Sequence, residues 1–468
     1  MIEEVLNPNN IMRALHQVVS NNGSAGVDKM PVKELYAYLS KNRDQITEEI
    51  RQNKYIPQPI RGIKILKSNG KQRLLGIATV TDRMLQQAVA QILTNKFELQ
   101  FDDFSYGFRP NHNAQQAVIK ALQYINEGNQ HIVDIDLQNF FDEVDHCLIL
   151  QLLYRKIKCP ITLRLIRKWL RVPIYIEEKL TKRRKRVPKG SPVNLIRKGL
   201  RAPTYIDGKL TKRRKGVPQG SPLSPILSNI LLSELDEEMR KRGLLYVRYA
   251  DDFSIYCKSE QQARKMGNSI YLFLRDKLKL PINREKSGIR KPVNFTILGF
   301  GFASTYEKGV KGKYQLIVCD KSWKSIKEKL KIITRKTTPM SFDERIIKIN
   351  EIARGWINYY RMASIQSKIK TLDGWIRNRL RYCIWHHWKR PERKRKNLIR
   401  LGVEQEMAYQ WSRSRMGGWA IAQSPILGTT ITVERLCKRG YEALLTYYEK
   451  VAPHLNEPLY TRPVCTVV

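Results

Sequence analysis

The sequence predicts an α+β protein, in which short strands occupy the first two thirds of the chain and long helices follow them. Three observations support this fold class. Apolar and basic residues alternate over 55–76, as in a β-hairpin. Two short apolar stretches carry acidic residues, at 134–136 and at 251–252. After residue 322 the apolar residues recur at helical spacing.

The composition indicates a folded and strongly basic protein. Its 468 residues are 42% hydrophobic, and 85 Lys and Arg against 43 Asp and Glu give a formal charge of +42. This length suggests two to four domains. Nucleic acid is favoured over a membrane surface as the polyanionic partner, because no apolar run approaches the ~18 residues of a spanning helix. We therefore expect a cytoplasmic protein that has no membrane partner.

The N-terminal third predicts helices around one basic hairpin. Helical patterns over 6–39 are interrupted at NNGSAGVD, where Gly23 and Gly26 supply turn chemistry. The hairpin turns at Ser68-Asn69-Gly70, and a helix is predicted over 81–97. SYGFRPNHNAQQAV (105–118) predicts a turn that enters another helix. The seven cysteines are scattered without a CxxC pair, so neither a disulfide framework nor a zinc site is indicated.

Acidic residues at strand ends are the strongest chemical signal. Asp136 lies near the end of the predicted strand HIVDIDL, and Asp251 and Asp252 lie at the tip of a predicted hairpin. Asp is common in hairpin turns, so the Asp-Asp pair alone favours turn chemistry. Two-metal nucleotidyl transfer, however, needs carboxylates from separate elements to hold two Mg²⁺ ions. A strand that carries Asp136 beside this hairpin would meet that requirement.

The last third predicts three amphipathic helices in succession. Apolar residues share one face at Trp323, Ile326, Leu330 and Ile333, then at Ile349, Ile352, Trp356 and Tyr360, and finally at Ile369, Leu372, Ile376, Leu380 and Ile384. Such a succession predicts a helical bundle. The tail after about residue 393 is basic and carries no clear period.

Ordered motifs connect these elements to a known family. VDIDLQNFFD, GVPQGSPLSPILSNILLSELD and YVRYADDF resemble the palm motifs of group II intron-encoded reverse transcriptases, of the bacterial type without an endonuclease domain. RGWINYYR and LDGWIRNRLRYCIWHHWKRP resemble the maturase, or thumb, region of that family. The resemblance implies a right-hand polymerase with fingers, a palm built on an antiparallel sheet, a helical thumb and a small basic C-terminal region. The implied parts are an N-terminal extension with fingers (1–120), palm (121–310), thumb (311–392) and DNA-binding-like tail (393–468).

The resemblance also implies catalytic roles for individual residues. Asp136, Asp251 and Asp252 match the family's metal ligands, which hold Mg²⁺. Lys286, in NREKS, matches a lysine proposed as general acid to the leaving pyrophosphate. Asp134 lies on the same face of its strand as Asp136 and is interpreted as structural.

Five further positions match residues that contact the incoming dNTP. Lys67 and Arg73 match the family's triphosphate contacts, and without the resemblance they would be interpreted as solvated surface charges. Phe141 matches the aromatic gate that excludes a ribose 2′ hydroxyl, whereas Phe140 is interpreted as a core residue. Gln219 and Gly220 match a motif that lies beside the nucleotide.

Nucleic-acid contacts are implied on both sides of the palm. Gly299, in LGFGF, would let the backbone approach the primer closely. Arg109, in SYGFRP, and Arg354, in RGWINYYR, lie in further family motifs. The third thumb helix offers phosphate contacts at Arg377, Arg381 and Lys389.

One feature departs from the family. Residues 165–194 and 195–224 repeat most of one another, with KLTKRRKRVPKGSPV in the first copy and KLTKRRKGVPQGSPL in the second. Lys189 stands in the first copy where the second has Gln219, so we assign function to the second copy and interpret the first as an insertion. Its KRRKR cluster would add a phosphate-binding surface, or the insertion would be tolerated or harmful. Two copies are too few for a repeat fold.

The implied function is RNA-directed DNA polymerisation with two Mg²⁺ ions, joined to maturase binding of a group II intron RNA. The expected partners are that intron RNA, an RNA template and a DNA primer or target, with a homodimer as a further possibility. Two alternatives stay open: a related reverse transcriptase that serves host defence or repair without a cognate intron, and a maturase that only binds RNA.

Overall fold

The computed structural model describes residues 1–66, 70, 72–176, 204–206, 209–211, 215–305 and 312–452. The chain divides into two compact units, Met1–Arg290 and Lys291–Val468. Both units combine helices with β-sheet, which confirms the predicted α+β class. Within the described residues, no helix is both long enough and apolar enough to span a bilayer.

The first unit begins with helices around a buried central helix. Its first four helices are α1 (Ile2–Leu6), α2 (Pro8–Ser20), α3 (Leu35–Arg51) and α4 (Val80–Phe97). The Thr79 hydroxyl caps α4 by accepting from the Asp82 amide. Apolar residues on every side of α4 are buried, including Met84, Leu85 and Val89, so the helix forms the middle of this core. The predicted helix over 81–97 is confirmed.

The basic hairpin is also confirmed. Strands β1 (Ile60–Leu66) and β2 (Gln72–Ile77) pair antiparallel, with Leu66 opposite Gln72 at the turn. The predicted turn residues Ser68 and Asn69, and the predicted triphosphate contact Lys67, lie outside the described residues.

The rest of the first unit is built around an antiparallel sheet. Helix α5 (Ala114–Asn126) leads into β3 (His131–Asp136). The elements that follow are α6 (Phe140–Glu143), α7 (His146–Lys156), α8 (Pro160–Leu170), β4 (Ile174–Ile176), β5 (Thr204–Ile206), β6 (Lys209–Thr211), α9 (Ser224–Lys241), β7 (Leu245–Tyr249), β8 (Asp252–Cys257), α10 (Glu260–Phe273) and β9 (Gly288–Arg290). The sheet order is β7-β8-β3-β9, with every pair antiparallel. This is the antiparallel sheet expected of a palm.

Both copies of the repeat contribute to this unit, which corrects our interpretation of the whole first copy as an insertion. The first copy supplies the end of α8 and strand β4, which pairs parallel with β1. Trp169 is 3% exposed, and its indole N–H donates to Oδ1 of the buried Asp82 at 2.9 Å. Val172 and Ile174 form a small core with Ile60. The fold therefore uses residues 165–176, which we call the head of the first copy.

The second copy supplies residues 215–224, which we call the tail of the repeat. Gly216 has a φ of +88°, and its amide donates to the Val144 carbonyl oxygen at 2.7 Å. Val217 and Leu223 are buried in the main core, and the second copy continues directly into α9. The extra thirty residues therefore fall between Ile176 and Lys215, rather than over 165–194. Most of that stretch lies outside the described residues.

The second unit joins a small sheet to the three predicted helices. Strands β10 (Thr296–Ile297), β11 (Phe300–Ser304) and β12 (Tyr314–Val318) form an antiparallel meander. The helices are α11 (Asp320–Ile333), α12 (Phe342–Tyr360) and α13 (Gln366–His387). Ser341 and Glu344 form a capping box at the start of α12. Most of the predicted apolar faces are buried, so the helical prediction is confirmed.

The described tail, which carried no clear period in the sequence, is helical. Six short helices follow α13: α14 (Pro391–Arg400), α15 (Gln405–Ser412), α16 (Gly418–Gln423), α17 (Pro425–Thr430), α18 (Val433–Lys438) and α19 (Leu444–Val451). They pack back on the long helices through polar contacts as well as apolar ones. The hydroxyl of Tyr441 and the amide of Leu444 both donate to the buried Asp373 carboxylate on α13. Helices this short depend on such packing, because isolated helices of their length are unstable.

Candidate active site and nucleic-acid surface

Three acidic side chains meet at one end of the palm sheet. Asp136 is the last residue of β3 and lies directly opposite Asp252, the first residue of β8. Asp251 precedes it in the turn from β7 to β8. The antiparallel register thus brings the predicted carboxylates together from two neighbouring strands.

The carboxylates perturb one another. Desolvation, followed by the charges of Asp251 and Asp136, raises the pKa of Asp252 to about 6. Desolvation and Asp136 also raise the pKa of Asp251, against a smaller opposing effect from Arg73. Like charges held this close disfavour full ionisation unless a cation joins them. The site therefore carries concentrated negative charge in a chain whose net charge is +42.

The NREKS loop holds Asp136 from the side. The Asn283 side-chain amide donates to Asp136 Oδ2 at 3.0 Å, and the Ser287 hydroxyl accepts from the Asp136 backbone N–H at 3.0 Å. Lys286 Nζ lies 3.3 Å from the same Oδ2 while its side chain remains 63% exposed. Lys286 is therefore beside the carboxylates, where we predicted it. The contacts of Asn283 and Ser287 were not predicted.

A buried arginine supports the turn that carries Asp251. Ala250 has a φ of +57°, a backbone conformation that L-residues rarely adopt. The fully buried Arg248 donates from Nη1 to the Ala250 carbonyl oxygen at 2.9 Å and to Asn229 Oδ1 at 3.2 Å. Its other two nitrogens donate to the Asp236 carboxylate on α9, at 2.7 and 2.5 Å. This network connects the Ala250 turn to helix α9 and stabilises it.

The SYGFRP segment packs against the same turn. A Cβ at Gly107 would overlap the Ala250 backbone, so only glycine permits this approach. The Asn229 side chain donates to the Gly107 carbonyl oxygen at 2.9 Å. Arg109 is buried, pairs with Glu98 at 2.9 Å and donates to the carbonyl oxygens of Asp102 and Ser105. Arg109 therefore stabilises the segment from inside the protein. The prediction that it contacts nucleic acid is not kept.

Three of the predicted nucleotide contacts, Arg73, Gln219 and Gly220, lie together, and the charge of Arg73 acts on Asp251. Arg73 Nε donates to the Gln219 side-chain oxygen, and the Gly76 amide donates to the Gln219 carbonyl oxygen at 2.8 Å. Gly220 has a φ of +107°, and a Cβ there would crowd the Gly76 carbonyl oxygen at 3.0 Å. The hairpin β1–β2 and the tail of the second repeat copy are thus joined at this point.

The two adjacent phenylalanines differ in burial. Phe140 is 2% exposed, which confirms it as a core residue. Phe141 is half-buried and packs edge-on against Phe140, with ring centroids 5.3 Å apart. The Phe141 carbonyl oxygen accepts from the Val217 amide at 2.7 Å, which ties the predicted gate to the second repeat copy.

The donor set fits a hard divalent cation in its chemistry, since carboxylate oxygens are the ligands that Mg²⁺ prefers. As the side chains stand, the described ranges contain no group of three or more His, Cys, Asp or Glu placed to hold a metal ion. The contact of Asp136 with Lys286 and Asn283 gives one reason, because it directs Oδ2 toward the NREKS loop. The structural observation that favours a cation at this place is the register that brings Asp136 opposite Asp252, with Asp251 in the adjoining turn.

In the second unit, the predicted nucleic-acid residues fall into two groups. Arg377 and Arg381 are engaged within the protein: Arg377 pairs with Asp373, and Arg381 donates to the Ile431 and Gly428 carbonyl oxygens. Arg354 pairs with Glu442 at 2.6 Å but remains half exposed, and Lys389 is exposed after α13.

Gly299 lies in the β10–β11 turn with a φ of +84°, and a Cβ there would overlap the Tyr360 hydroxyl. The glycine is therefore required for packing within its own unit, whatever else approaches it.

Taken together, the antiparallel palm sheet, its acidic end and the cationic hairpin that carries Arg73 define the class of right-hand nucleic-acid polymerases. A family model described as "Reverse transcriptase (RNA-dependent DNA polymerase)" matches residues 65–302, about half of the chain, and the chain belongs to this family. A second model, described as "Group II intron, maturase-specific domain", matches residues 323–402.

Two curated relatives and one solved structure illustrate the similarity. Group II intron-encoded protein LtrA of Lactococcus lactis subsp. cremoris is 27% identical over 412 residues, which cover 68% of this chain and 63% of LtrA. The chain thus spans less than two thirds of that relative. Protein YkfC of Escherichia coli (strain K12) is 26% identical, over 62% of this chain and 78% of YkfC. A chain of a partial Cas6-RT-Cas1–Cas2 complex is 21% identical with a TM-score of 0.34, over 59% of this chain and 42% of that one.

Proposed function

We propose that this protein is an RNA-directed DNA polymerase that also binds a group II intron RNA as a splicing maturase. The observation that carries the polymerase proposal is the meeting of Asp136, Asp251 and Asp252 at one sheet end, within the segment that matches the reverse transcriptase family. The maturase proposal is supported by the second family match, over 323–402. The division into fingers, palm, thumb and basic tail belongs to the same proposal.

In this mechanism, Asp136, Asp251 and Asp252 would hold two Mg²⁺ ions, which supply activation of the primer 3′ hydroxyl and neutralisation of the leaving pyrophosphate. The Ala250 turn and the NREKS loop position these carboxylates before substrate arrives. Lys286 would donate a proton to the pyrophosphate, from its place beside Asp136.

The incoming dNTP would lie between the hairpin and the repeat tail. Arg73, which together with the predicted contact Lys67 would face the triphosphate, is held by Gln219. Gly220 lets the backbone approach the nucleotide. The half-buried ring of Phe141 would exclude a ribose 2′ hydroxyl by steric clash.

Primer extension tests the polymerase. Purified protein is given an RNA template, a DNA primer, dNTPs and Mg²⁺, beside the double variant Asp251→Ala/Asp252→Ala. Asp276→Ala is a matched control, since Asp276 is an exposed residue that is paired with Arg275 and is not among the predicted site residues. We expect extension by the parent and the control, and its loss in the double variant. Equal extension by the double variant would refute the assignment.

Splicing of the RNA that surrounds the coding sequence tests the maturase separately. The double variant should still promote splicing, because its substitutions lie in the first unit and leave the maturase-matched helices unchanged. Extension without any splicing would favour a reverse transcriptase of host defence or repair. Splicing without extension by the parent would favour a binding-only maturase.

A further inference from the structure

The segment RSRMGGWAIAQSP (413–425) has no role in the site described above. Its Gly418 lies against the Tyr382 ring of α13, where a Cβ would be 3.2 Å from Tyr382 Cε2. Glycine therefore lets the segment approach α13 closely. The next residue, Trp419, packs edge-on against Tyr382 with ring centroids 6.0 Å apart, and remains 36% exposed.

Trp419 extends a row of flat side chains along one face of α13. Trp375, Arg379, Tyr382 and His386 follow at spacings of four, three and four residues, which places them on one helical stripe. The rings of Tyr382 and His386 are nearly parallel, 9° apart. We name these four residues and Trp419 the aromatic row.

Arg379 fixes the row in place. Its guanidinium carbon lies 5.6 Å from the Trp375 ring centroid and 5.7 Å from that of Trp419, so it sits between the two indoles. Its nitrogens donate to the Thr334 hydroxyl at 3.0 Å and to carbonyl oxygens at the end of α11. The row is thus preorganised, with rotamers held by cation–π and hydrogen-bond contacts.

Lysines surround the exposed end of the row. Desolvation, and then Lys336, Lys389 and Lys394, lower the pKa of His386, which favours the neutral form of its ring. Lys327 Nζ lies 5.4 Å from the Trp375 centroid at the other end. Neutral aromatic faces with a cationic border are the combination that binds unpaired nucleic acid, through base stacking and phosphate contacts.

We infer that the aromatic row binds the bases of an unpaired RNA segment by stacking, mainly on Trp419 and His386, while Lys389 contacts phosphate. RNA is favoured because four of the five residues lie within the match to the intron maturase domain, 323–402. An unpaired segment is required because the base faces of a duplex are covered by their neighbours. This inference rests on the proposed RNA binding and adds the surface and the form of RNA recognised.

Fluorescence anisotropy with full-length protein tests the inference. The probes are a labelled unstructured RNA of about 12 nucleotides, a DNA of the same sequence and an RNA hairpin of equal length whose loop nucleotides are abasic, so that it offers no unpaired base. Trp419→Leu removes the stacking ring at an exposed position, and Trp419→Phe retains an aromatic ring. Tyr409→Leu is the matched control, because Tyr409 is 48% exposed and carries its own arginine, Arg413, outside the row.

We expect Trp419→Leu to weaken binding of the unpaired RNA about tenfold or more without changing the slope of log K against log salt. Trp419→Phe and Tyr409→Leu should bind as the parent does, and the hairpin should be unaffected. Lys389→Ala should instead reduce the salt slope by about one. Melting curves of each variant verify that it is folded.

Three outcomes would overturn the inference. Parental binding of unpaired RNA by Trp419→Leu, or equal weakening for the hairpin, would exclude stacking on the row. Tighter binding of the DNA probe would exclude RNA as its ligand. A parent protein that binds neither RNA would refute the maturase proposal itself, which distinguishes that failure from failure of the row alone.

Discussion

Two excisions of equal length should have opposite effects on this protein. Removing 165–194 joins residue 164 to the head of the second copy, whereas removing 177–206 keeps the head of the first copy and joins it to the second tail. The two products differ at three positions only. The first product has Gly199, Ala202 and Thr204 where the second has Trp169, Val172 and Ile174.

The expected difference in stability follows from the burial of those three residues. Trp169 is 3% exposed and donates to the buried Asp82, and loss of a buried Trp costs about 3–5 kcal/mol. Val172 and Ile174 are 5% and 6% exposed. Removing two methyl groups at the first costs about 1.5 kcal/mol, and placing a hydroxyl at the second costs about 1–3 kcal/mol. The sum, about 6 kcal/mol or more, is comparable to the whole stability of a typical domain.

The assay compares soluble yield, thermal unfolding by circular dichroism, and primer extension for the parent and both products. The product without 177–206 should melt within a few degrees of the parent and extend a primer. The product without 165–194 should lose the unfolding transition of its first unit, together with extension. The substitutions change no charge, so differences in net charge cannot explain such a result.

A second substitution in the destabilised product tests this prediction further. Gly199→Trp in the product without 165–194 should recover most of the lost stability, because the indole restores both the packing and the hydrogen bond to Asp82. Equal melting points for the two excisions, or no recovery with Gly199→Trp, would refute the assignment of the head to the first copy.

Three further predictions concern the candidate active site. Arg248→Met should destabilise the protein by about 3–5 kcal/mol, because it leaves Asp236 buried and unpaired. Adding Asp236→Leu should restore the melting point but not the rate of primer extension, since the bond to the Ala250 carbonyl oxygen is still missing. Recovery of both the melting point and the rate would show that the Ala250 contact is dispensable. In EDTA, Asp252→Asn should raise the melting point by a few degrees at about pH 7.5 and leave it unchanged at about pH 3.5. The raised pKa of Asp252 costs the native state stability as the pH rises from the ordinary value of 3.8 to about 6, and the expected size allows for solvent screening. Equal shifts at both pH values would contradict this prediction. Gln219→Lys, which copies Lys189 of the first repeat, should raise KM for dNTP about tenfold, because a cation then faces Arg73. An unchanged KM would show that Gln219 does not contribute to nucleotide binding.

Periodic patterns made the elements of the fold predictable. The hairpin β1–β2 alternates, the thumb helices repeat apolar residues at helical spacing, and the acidic strands end in the turns where the structure has them. The helices α14–α19 are too short to repeat a pattern, so their identity depends on tertiary contacts such as that of Tyr441 with Asp373.

The parts of the site that escaped prediction share one physical feature. Asn283 and Ser287 contact Asp136 from a segment that is distant in sequence, and Arg248 joins its own turn to Asn229 and Asp236 on α9. Arg109 and Arg381 have the opposite character, since sequence alone presents them as surface cations and the fold uses their charge internally. A formal charge therefore counts toward nucleic-acid binding only where the fold leaves it accessible.

The pairing of Arg248 with Asp236 shows how the fold places a cation close to an acidic site without neutralising the negative charge of that site. Two of its nitrogens donate to the Asp236 carboxylate on α9, and its bond toward the turn that carries Asp251 reaches the Ala250 carbonyl oxygen rather than a carboxylate. Because Arg248 and Asp236 together are nearly neutral, Asp136, Asp251 and Asp252 retain most of their mutual repulsion, which keeps the pKa of Asp252 raised. The turn is thus rigid while its negative charge stays available to cations from solution.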